Sequence, residues 1–384
     1  MRAPRVRAPR ERDPRRLVIE RPATPVVVSL RWRRATGWRE LAPREHREAG
    51  APLQEGLAVV ICTAGRPGSL ARLLASLGEQ ERRPEQLVIV DAGPDDGAER
   101  VVRAGAGGGG GGTNGVAREV RYERVSGVLR GLTRQRNHAL RLVHSDLVAF
   151  FDDDVVLLPG CLGELETTLR SGGPGVVGVG GFIVNDVARP ALRWRVRIRT
   201  GVVTSLAPGR YFRSGMSTPW TFLEPTDALV EGDWLPGAAM LWRTASARAI
   251  GFNDAFAGYA QGEDLDFSLR ARRAGRLLLA GRARLLHLHE PAGRPAPFRR
   301  GYMEIYNRYE IHRRALVDRS WRDIAWFAYA WGLDTLFLLR QLVIPGRAAY
   351  AARQIAGRVS AAVHLVRHGM ASAAERQAAR GAVP

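Results

Sequence analysis

The sequence predicts an α/β fold, a mostly parallel sheet flanked by helices, followed by a helical C-terminal region. Three observations carry this. LAVVICT (Leu57–Thr63) and LVIVDAG (Leu87–Gly93) are continuous apolar runs of the kind found in strands buried on both faces. Between them, LARLLASL sets Leu70, Leu73, Leu74 and Leu77 on one helical face, so strand, helix and strand form a βαβ unit. After Pro297 the chain turns helical, aromatic and Arg-rich to its end.

Taken in order, residues 1–56 are rich in Arg and Pro and read as a partly disordered extension with one strand at VVVSL (Val26–Leu30). The opening MRAPRVRAPRERDPRR carries charge with no apolar run behind it, so no signal peptide is expected. A domain over 57–295 follows. Its first strand ends in the turn GRPG, and its second ends in Asp91. The tract AGAGGGGGG (Ala104–Gly112) lacks dinucleotide-fingerprint spacing and reads as a flexible insertion. A strand is expected near Glu119–Arg124, a helix over Thr133–Val143, and a strand at LVAFF (Leu147–Phe151). Further strands are expected at GVVGVGGFIV (Gly175–Val184), at the end of WLPGAAMLWR (Trp234–Arg243) and at RLLHLHEP (Arg284–Pro291). GEDLDFSLRARRAG (Gly262–Gly275) reads as a helix stopped by Gly275. Residues 296–384 form the helical, basic C-terminal region.

The chain has 384 residues and a formal charge of +20, with no lysine: all 58 basic residues are Arg. Residues 1–50 hold 14 Arg against 6 acids and residues 294–384 hold 15 against 6, leaving 29 Arg and 26 acids between. The middle is therefore close to neutral and is no basic groove, which argues against nucleic acid; charged ends suit an anionic membrane surface as well. Without lysine, a Walker-type phosphate loop and pyridoxal chemistry are excluded. Cys62 and Cys161, the two cysteines, both adjoin apolar runs, so buried thiols in a reducing, cytoplasmic compartment are expected.

The chemistry gathers where strands end. FFDDDVVLLPG (Phe150–Gly160) closes an apolar run with three aspartates, and ligands of α/β sheets bind beyond the carboxyl ends of strands. If the strand continues through them, alternation puts Asp152 and Asp154 on one face and Asp153 on the other. Two carboxylates on one face suit a hard divalent cation that holds a phosphate-bearing substrate; a solvated acidic turn is the plain alternative. Asp91 sits where a nucleotide base or ribose could be read, although strand-end aspartates also make turns and caps. Glu263 and Asp264 open a helix, where capping and the helix dipole favour acids and position alone favours that plain reading; the functional reading is a general base held at a cleft. His287 and His289 alternate on one expected strand face and could reach one site. Arg130, Arg134 and Arg136 could contact phosphates or simply start a solvated helix.

Together these segments resemble the inverting family 2 glycosyltransferases of GT-A fold. LAVVICTAGRPGSLARLLASL, LVIVDAG, GLTRQRNHAL, LVAFFDDDVVLLPG, GFNDAFAGYAQGEDLDFSLRARRAG and ARLLHLH match family segments in order, over about 57–290. The resemblance implies a nucleotide-sugar site at Thr63, Arg66, Asp91, Arg134, Arg136, Asp152 and Asp153. It implies Mg2+ or Mn2+ on Asp154 with Asp152 and His287, His289 being the fallback. Asp264, with Glu263, would be the base that deprotonates the acceptor, and Trp234 and Gly237 would line the acceptor side. The donor would be a UDP- or dTDP-sugar, the acceptor a glycan or lipid-linked molecule of the cell envelope.

IAWFAYAWGLDTLFLL (Ile324–Leu339) is nearly all apolar but short of the about 20 residues a spanning helix needs. Asp323, Asp334 and Gln341 fall on one helical stripe, which suits an interfacial or packed helix and a peripheral position on the inner membrane face. Two rival readings are a nucleotidyltransferase, which this lysine-free chain fits poorly, and a non-catalytic membrane-docking or nucleic-acid-binding protein on a degenerate transferase fold.

Overall fold

The computed structural model describes residues 27–33, 37–40, 52–106, 115–256, 258–316 and 318–367. Most of the expected N-terminal extension and the glycine tract beyond Ala106 lie outside the described residues. The elements run β1 (Val27–Arg33), β2 (Gly37–Glu40), β3 (Gln54–Thr63), α1 (Pro67–Gly78), β4 (Gln86–Asp91), α2 (Gly97–Ala106), β5 (Glu119–Val125), α3 (Leu132–Leu142) and β6 (Ser145–Asp152). They continue with β7 (Val155–Leu157), α4 (Cys161–Ser171), β8 (Val176–Ile183), α5 (Leu192–Arg199), β9 (Leu229–Gly232), β10 (Ala239–Arg243), α6 (Thr244–Ile250), α7 (Glu263–Ala271) and β11 (Arg276–His287). Three helices finish the described chain: α8 (Pro297–Ala315), α9 (Trp321–Leu339) and α10 (Ala348–Arg367).

All strands join one sheet in the order β2-β1-β5-β4-β3-β6-β10-β8-β11-β7, with β9 also on β11. Its centre, β5-β4-β3-β6, is wholly parallel, as the βαβ pattern requires. The flanks are mixed. On one side β1 and β2 pair antiparallel onto β5, so part of the N-terminal extension caps a sheet edge.

Alternation along β3 explains its unbroken apolar run. Leu57, Val59 and Ile61 pack into one core with α1 and α4, whereas Ala58, Val60 and Cys62 pack into another with α3, α6 and α7. Each fully buried aliphatic side chain of this kind contributes about 1.5–3 kcal/mol of transfer free energy. Both cysteines are buried free thiols, each pushed up to about 12 by burial.

Three expected boundaries shift. β6 stops at Asp152, and Asp153 and Asp154 form a turn into β7 instead of continuing the strand. α7 ends at Ala271, before Gly275. Gly275 serves a close approach instead: a Cβ there would lie 2.7 Å from the Gly175 carbonyl oxygen, beside the bond by which Arg276 N–H enters the sheet. β11 starts at Arg276, well before Arg284, and ends at His287 rather than running to Pro291; His289 takes φ 52°, incompatible with a continuing strand.

Register then positions the site. Thr63 lies opposite Asp91 on β4, and Cys62 opposite Asp152 on β6, so three strand ends finish at one level. β10 runs back antiparallel to β6 and starts beside its end, with Asp152 N–H donating to the Ala238 carbonyl. β11 pairs His287 with Val155, returning a histidine to the aspartate turn.

Candidate active site

The three aspartates split into two settings. Asp152, Asp154 and His287 each point a ligand atom into one corner, all within 4.8 Å of one another. His287 Nε2 lies 3.2 Å from Asp154 Oδ1. Asp153 turns away: its Oδ2 accepts from Thr63 Oγ1 at 2.6 Å, and its Oδ1 pairs with Arg66 Nη2 at 2.6 Å. Alternation thus foretold the partition correctly, although a turn produces it.

Backbone contacts hold the corner rigid. Asp154 accepts the Glu290 N–H on its carboxylate at 3.0 Å and the Leu288 N–H on its carbonyl at 2.8 Å. Asn185 clasps the His287 backbone from both sides, accepting its N–H and donating to its carbonyl, each at 2.9 Å. Burial opposes ionisation of Asp154, but the His287 hydrogen bond and charge, then Arg66, hold its carboxyl at about 2. Asp153 goes the other way: burial pushes it up to about 7 against the pull of Arg66 and Thr63. Asp152 is also raised, by burial first.

A buried arginine links this corner to the α7 acids. Arg136 Nη1 donates to Glu263 Oε1 at 2.6 Å, and its Nη2 to Asp152 Oδ1 at 2.9 Å and the Gly237 carbonyl at 3.1 Å. The Phe150 and Phe252 rings flank its guanidinium, with centroids at 5.6 and 5.3 Å. Gly237 N–H in turn donates to Asp264 Oδ2 at 3.1 Å, while Asp264 Oδ1 accepts the Leu265 N–H at 2.8 Å. A Cβ at Gly237 would sit 3.0 Å from the Asp264 Cβ, so this approach is tight. Asp264 stays partly exposed at the helix start, whereas Glu263 is buried behind it. Burial pushes Glu263 up to about 8, with Arg136 opposing.

The other expected residues are distributed less evenly. Arg134 and Arg136 do not share a target: two helical residues apart, they point about 200° apart. Arg134 donates outward to the Val128 carbonyl at 3.0 Å. Asp91 is fully buried, accepting from Gly93 N–H at 2.7 Å and Tyr122 O–H at 2.8 Å. Trp234 lies against Trp220 at 6.4 Å between centroids, part of an apolar cluster. His289 stacks on His287 at 4.0 Å and faces Asp186 at 3.6 Å, outside the carboxylate corner. Two residues escaped the motif reading. Gln135 bridges the Thr63 and Val90 carbonyls at 3.0 and 2.9 Å, tying two strand ends together. Arg308 on α8, lowered by burial against the charge of Asp264, donates to Ser217 Oγ at 3.2 Å; it lies beyond the matched motifs, so only tertiary structure reveals it.

Residues 58–219 match the model of a family described as Glycosyl transferase family 2. That stretch of the chain is similar to the family 2 glycosyltransferases. The mostly parallel sheet flanked by helices is GT-A-like, as expected, and the helical C-terminal region follows it as an extension beyond the matched residues. Among solved structures, the transferase is similar to the mannosyltransferase PcManGT from Pyrobaculum calidifontis in complex with GDP-Man and Mn2+, at 17% identity over 83% of this chain and 92% of that one, TM-score 0.49. It is also similar to S. aureus TarS, at 16% identity over 76% of this chain and 44% of that one, TM-score 0.43. A shorter TarS 1-349 in complex with UDP gives 13% identity over 82% and 92%, TM-score 0.44. A comparison with curated protein sequences found no match. In the transferase, the matched segment supplies Thr63, Arg66, Asp91, Arg136 and the aspartates; Gly237, Glu263, Asp264 and His287 all lie beyond it.

Proposed function

We propose that the protein is a metal-dependent, inverting glycosyltransferase that moves a sugar from a UDP- or dTDP-sugar to a hydroxyl acceptor. The acceptor class is a glycan or lipid-linked molecule of the cell envelope, met at the inner membrane face. The observation that carries the catalytic reading is the meeting of Asp152, Asp154 and His287 in one corner, one buried arginine away from the α7 acids.

The donor set fits Mg2+ or Mn2+: two carboxylates and an imidazole, with carboxylates outnumbering arginines around them. When bound there, such an ion would act as a Lewis acid on the diphosphate oxygens. Arg66, held by Asp153 and reaching Asp154 Oδ2 at 3.4 Å, adds a fixed cation at the same edge. Thr63 and Asp153 hold the strand-end surface on which the nucleoside would lie.

Asp264 is the residue placed to act on the acceptor. Its carboxylate orientation is set by two backbone N–H donors, and it stays partly exposed. The acceptor O–H proton passes to Asp264, the acceptor oxygen bonds to the anomeric carbon, and the bond from that carbon to the diphosphate oxygen breaks. Attack opposite the leaving group inverts the centre without a covalent enzyme intermediate. Glu263 serves as the anchor of Arg136 rather than as a second base, since burial removes it from the acceptor.

Thermal-shift measurement with UDP, dTDP and GDP, with and without Mn2+, tests this reading on the unaltered protein and on Asp154→Ala. Metal-dependent stabilisation by one nucleotide, lost in the variant, is expected. No shift with any nucleotide would leave the aspartates a structural turn held by Arg66, Arg136 and His287.

A further inference from the structure

We propose that the tip joining α9 to α10, with the outward face of α10, docks the protein onto an anionic lipid bilayer. This deepens the membrane-side location proposed above and rests on it. α10 is held against α8 by close backbone contact: a Cβ at Gly357 would lie 2.0 Å from the Phe298 carbonyl oxygen, and one at Gly301 1.9 Å from that of Gln354. That contact uses one face of α10 and fixes which face is left.

The face left over is apolar without a break. Ala349, Ala352, Ala356, Val359, Val363 and Val366 are exposed and recur at alternating spacings of three and four, which keeps them on one stripe. The tip before it is more apolar still: Leu339, Leu342, Val343 and Ile344 all face solvent, Val343 at 84% exposure. Patches of this extent mark interaction surfaces.

Charge selects the occupant. From Thr335 to Arg367 the sequence contains no Asp or Glu. Arg340, Arg347, Arg353 and Arg367 border the apolar surface and are exposed. A second copy laid symmetrically on this face would set arginines against arginines, with no acid on either side to pair them. An anionic bilayer matches both features, taking the apolar stripe at the headgroup boundary and the arginines at the phosphates. Among the described residues no helix is long and apolar enough to cross a membrane, so the contact lies in the plane of the surface.

The test is co-sedimentation of the full chain with phosphatidylcholine vesicles, with and without phosphatidylglycerol. Recovery is expected only with the anionic vesicles, and less of it at high salt. Val343→Asp and the pair Arg340→Gln with Arg347→Gln should each lower vesicle affinity about tenfold while leaving the melting temperature unchanged. Nucleotide-dependent stabilisation measured on the same samples separates the two readings: its absence strikes the transferase assignment, whereas missing vesicle recovery with stabilisation intact overturns the docking face. A dimer in light scattering that Val343→Asp converts to monomer, without vesicle recovery, also overturns it and makes the face a self-interface.

Discussion

Two clusters of buried charge sit in this molecule, and they are built to opposite ends. In the C-terminal region Arg197 and Arg358 meet Asp334 and Glu304. Arg358 lies 3.0 Å from Asp334 and 2.7 Å from Glu304, Arg197 pairs with Asp334, and Gln354 donates to Glu304 at 2.7 Å. Arg300 also reaches Glu304 at 3.3 Å, so three arginines cover two carboxylates, and the cluster joins α5, α8, α9 and α10. At the strand ends Asp152, Asp153, Asp154, Glu263 and Asp264 face Arg66 and Arg136, with His287 alongside. Carboxylates there outnumber arginines even with Arg308 near Asp264, and Glu263 Oε2 has no hydrogen-bond partner among the described residues. Where cations cover the carboxylates, burial yields a joint. Where carboxylates are in excess, burial raises their pKa, as at Asp153 and Glu263, and a bound cation would favour the ionised forms.

Substitutions that remove one carboxylate from each cluster should separate these roles. Asp264→Asn is expected to lower kcat by about 10³-fold, within the usual reach of a lost general base, while nucleotide-dependent stabilisation persists. A variant with near-normal turnover would remove Asp264 from the mechanism. Asp334→Asn should do the reverse: urea unfolding should show a loss of about 3 kcal/mol, with turnover per folded molecule unchanged.

Arginine substitutions sharpen the contrast through the metal. Arg136→Met and Arg358→Met each strip one buried carboxylate, Glu263 or Glu304, and one half-buried aspartate of a close cation, a cost of about 3–5 kcal/mol. Mn2+ should restore part of the lost stability in Arg136→Met, because Asp152 belongs to the proposed metal corner. It should restore none in Arg358→Met. Equal rescue, or none in either, would break the distinction between the clusters.

The sequence showed one of these clusters and not the other, for physical reasons. Strands buried on both faces leave continuous apolar runs, and a triple aspartate at the end of one stands out, so the parallel centre and the aspartate turn are readable locally, whereas His287 joins that turn only through β11. Long-range ion pairs leave no such trace. Arg136 and Glu263 are 127 residues apart, and Arg197 and Asp334 are 137 apart. Arg136 reads as a phosphate contact until the fold shows its guanidinium enclosed by Phe150 and Phe252. Asp334 interrupts an apolar run and suggests a polar stripe; that the stripe turns inward onto two arginines depends on α5 and α10. The pairing of β1 with β5 is equally non-local, since nothing in VVSLRWR specifies which edge it covers.

The smallest expected effect lies at the start of α9 and is open to pH. Ser320 and Asp323 form a reciprocal cap: the Ser320 side chain serves the helix backbone, and Asp323 Oδ2 accepts the Ser320 N–H at 2.9 Å. Arg213 adds a two-pronged contact at 2.8 Å on each oxygen. The backbone bond from Ser320, then its hydroxyl and Arg213, hold the Asp323 carboxyl at about 2, below its ordinary value of 3.8. A depressed carboxyl pKa contributes stability above the unfolded value and loses it as pH falls through the folded one. Asp323→Asn should therefore cost about 1 kcal/mol at pH 7, with the gap to the unaltered protein closing as pH drops from about 4 towards 2. Urea unfolding of both proteins at pH 7 and pH 3 measures this. A gap of the same size at both would show that the cap works through hydrogen-bond geometry alone, without the carboxylate charge on which the two larger clusters depend.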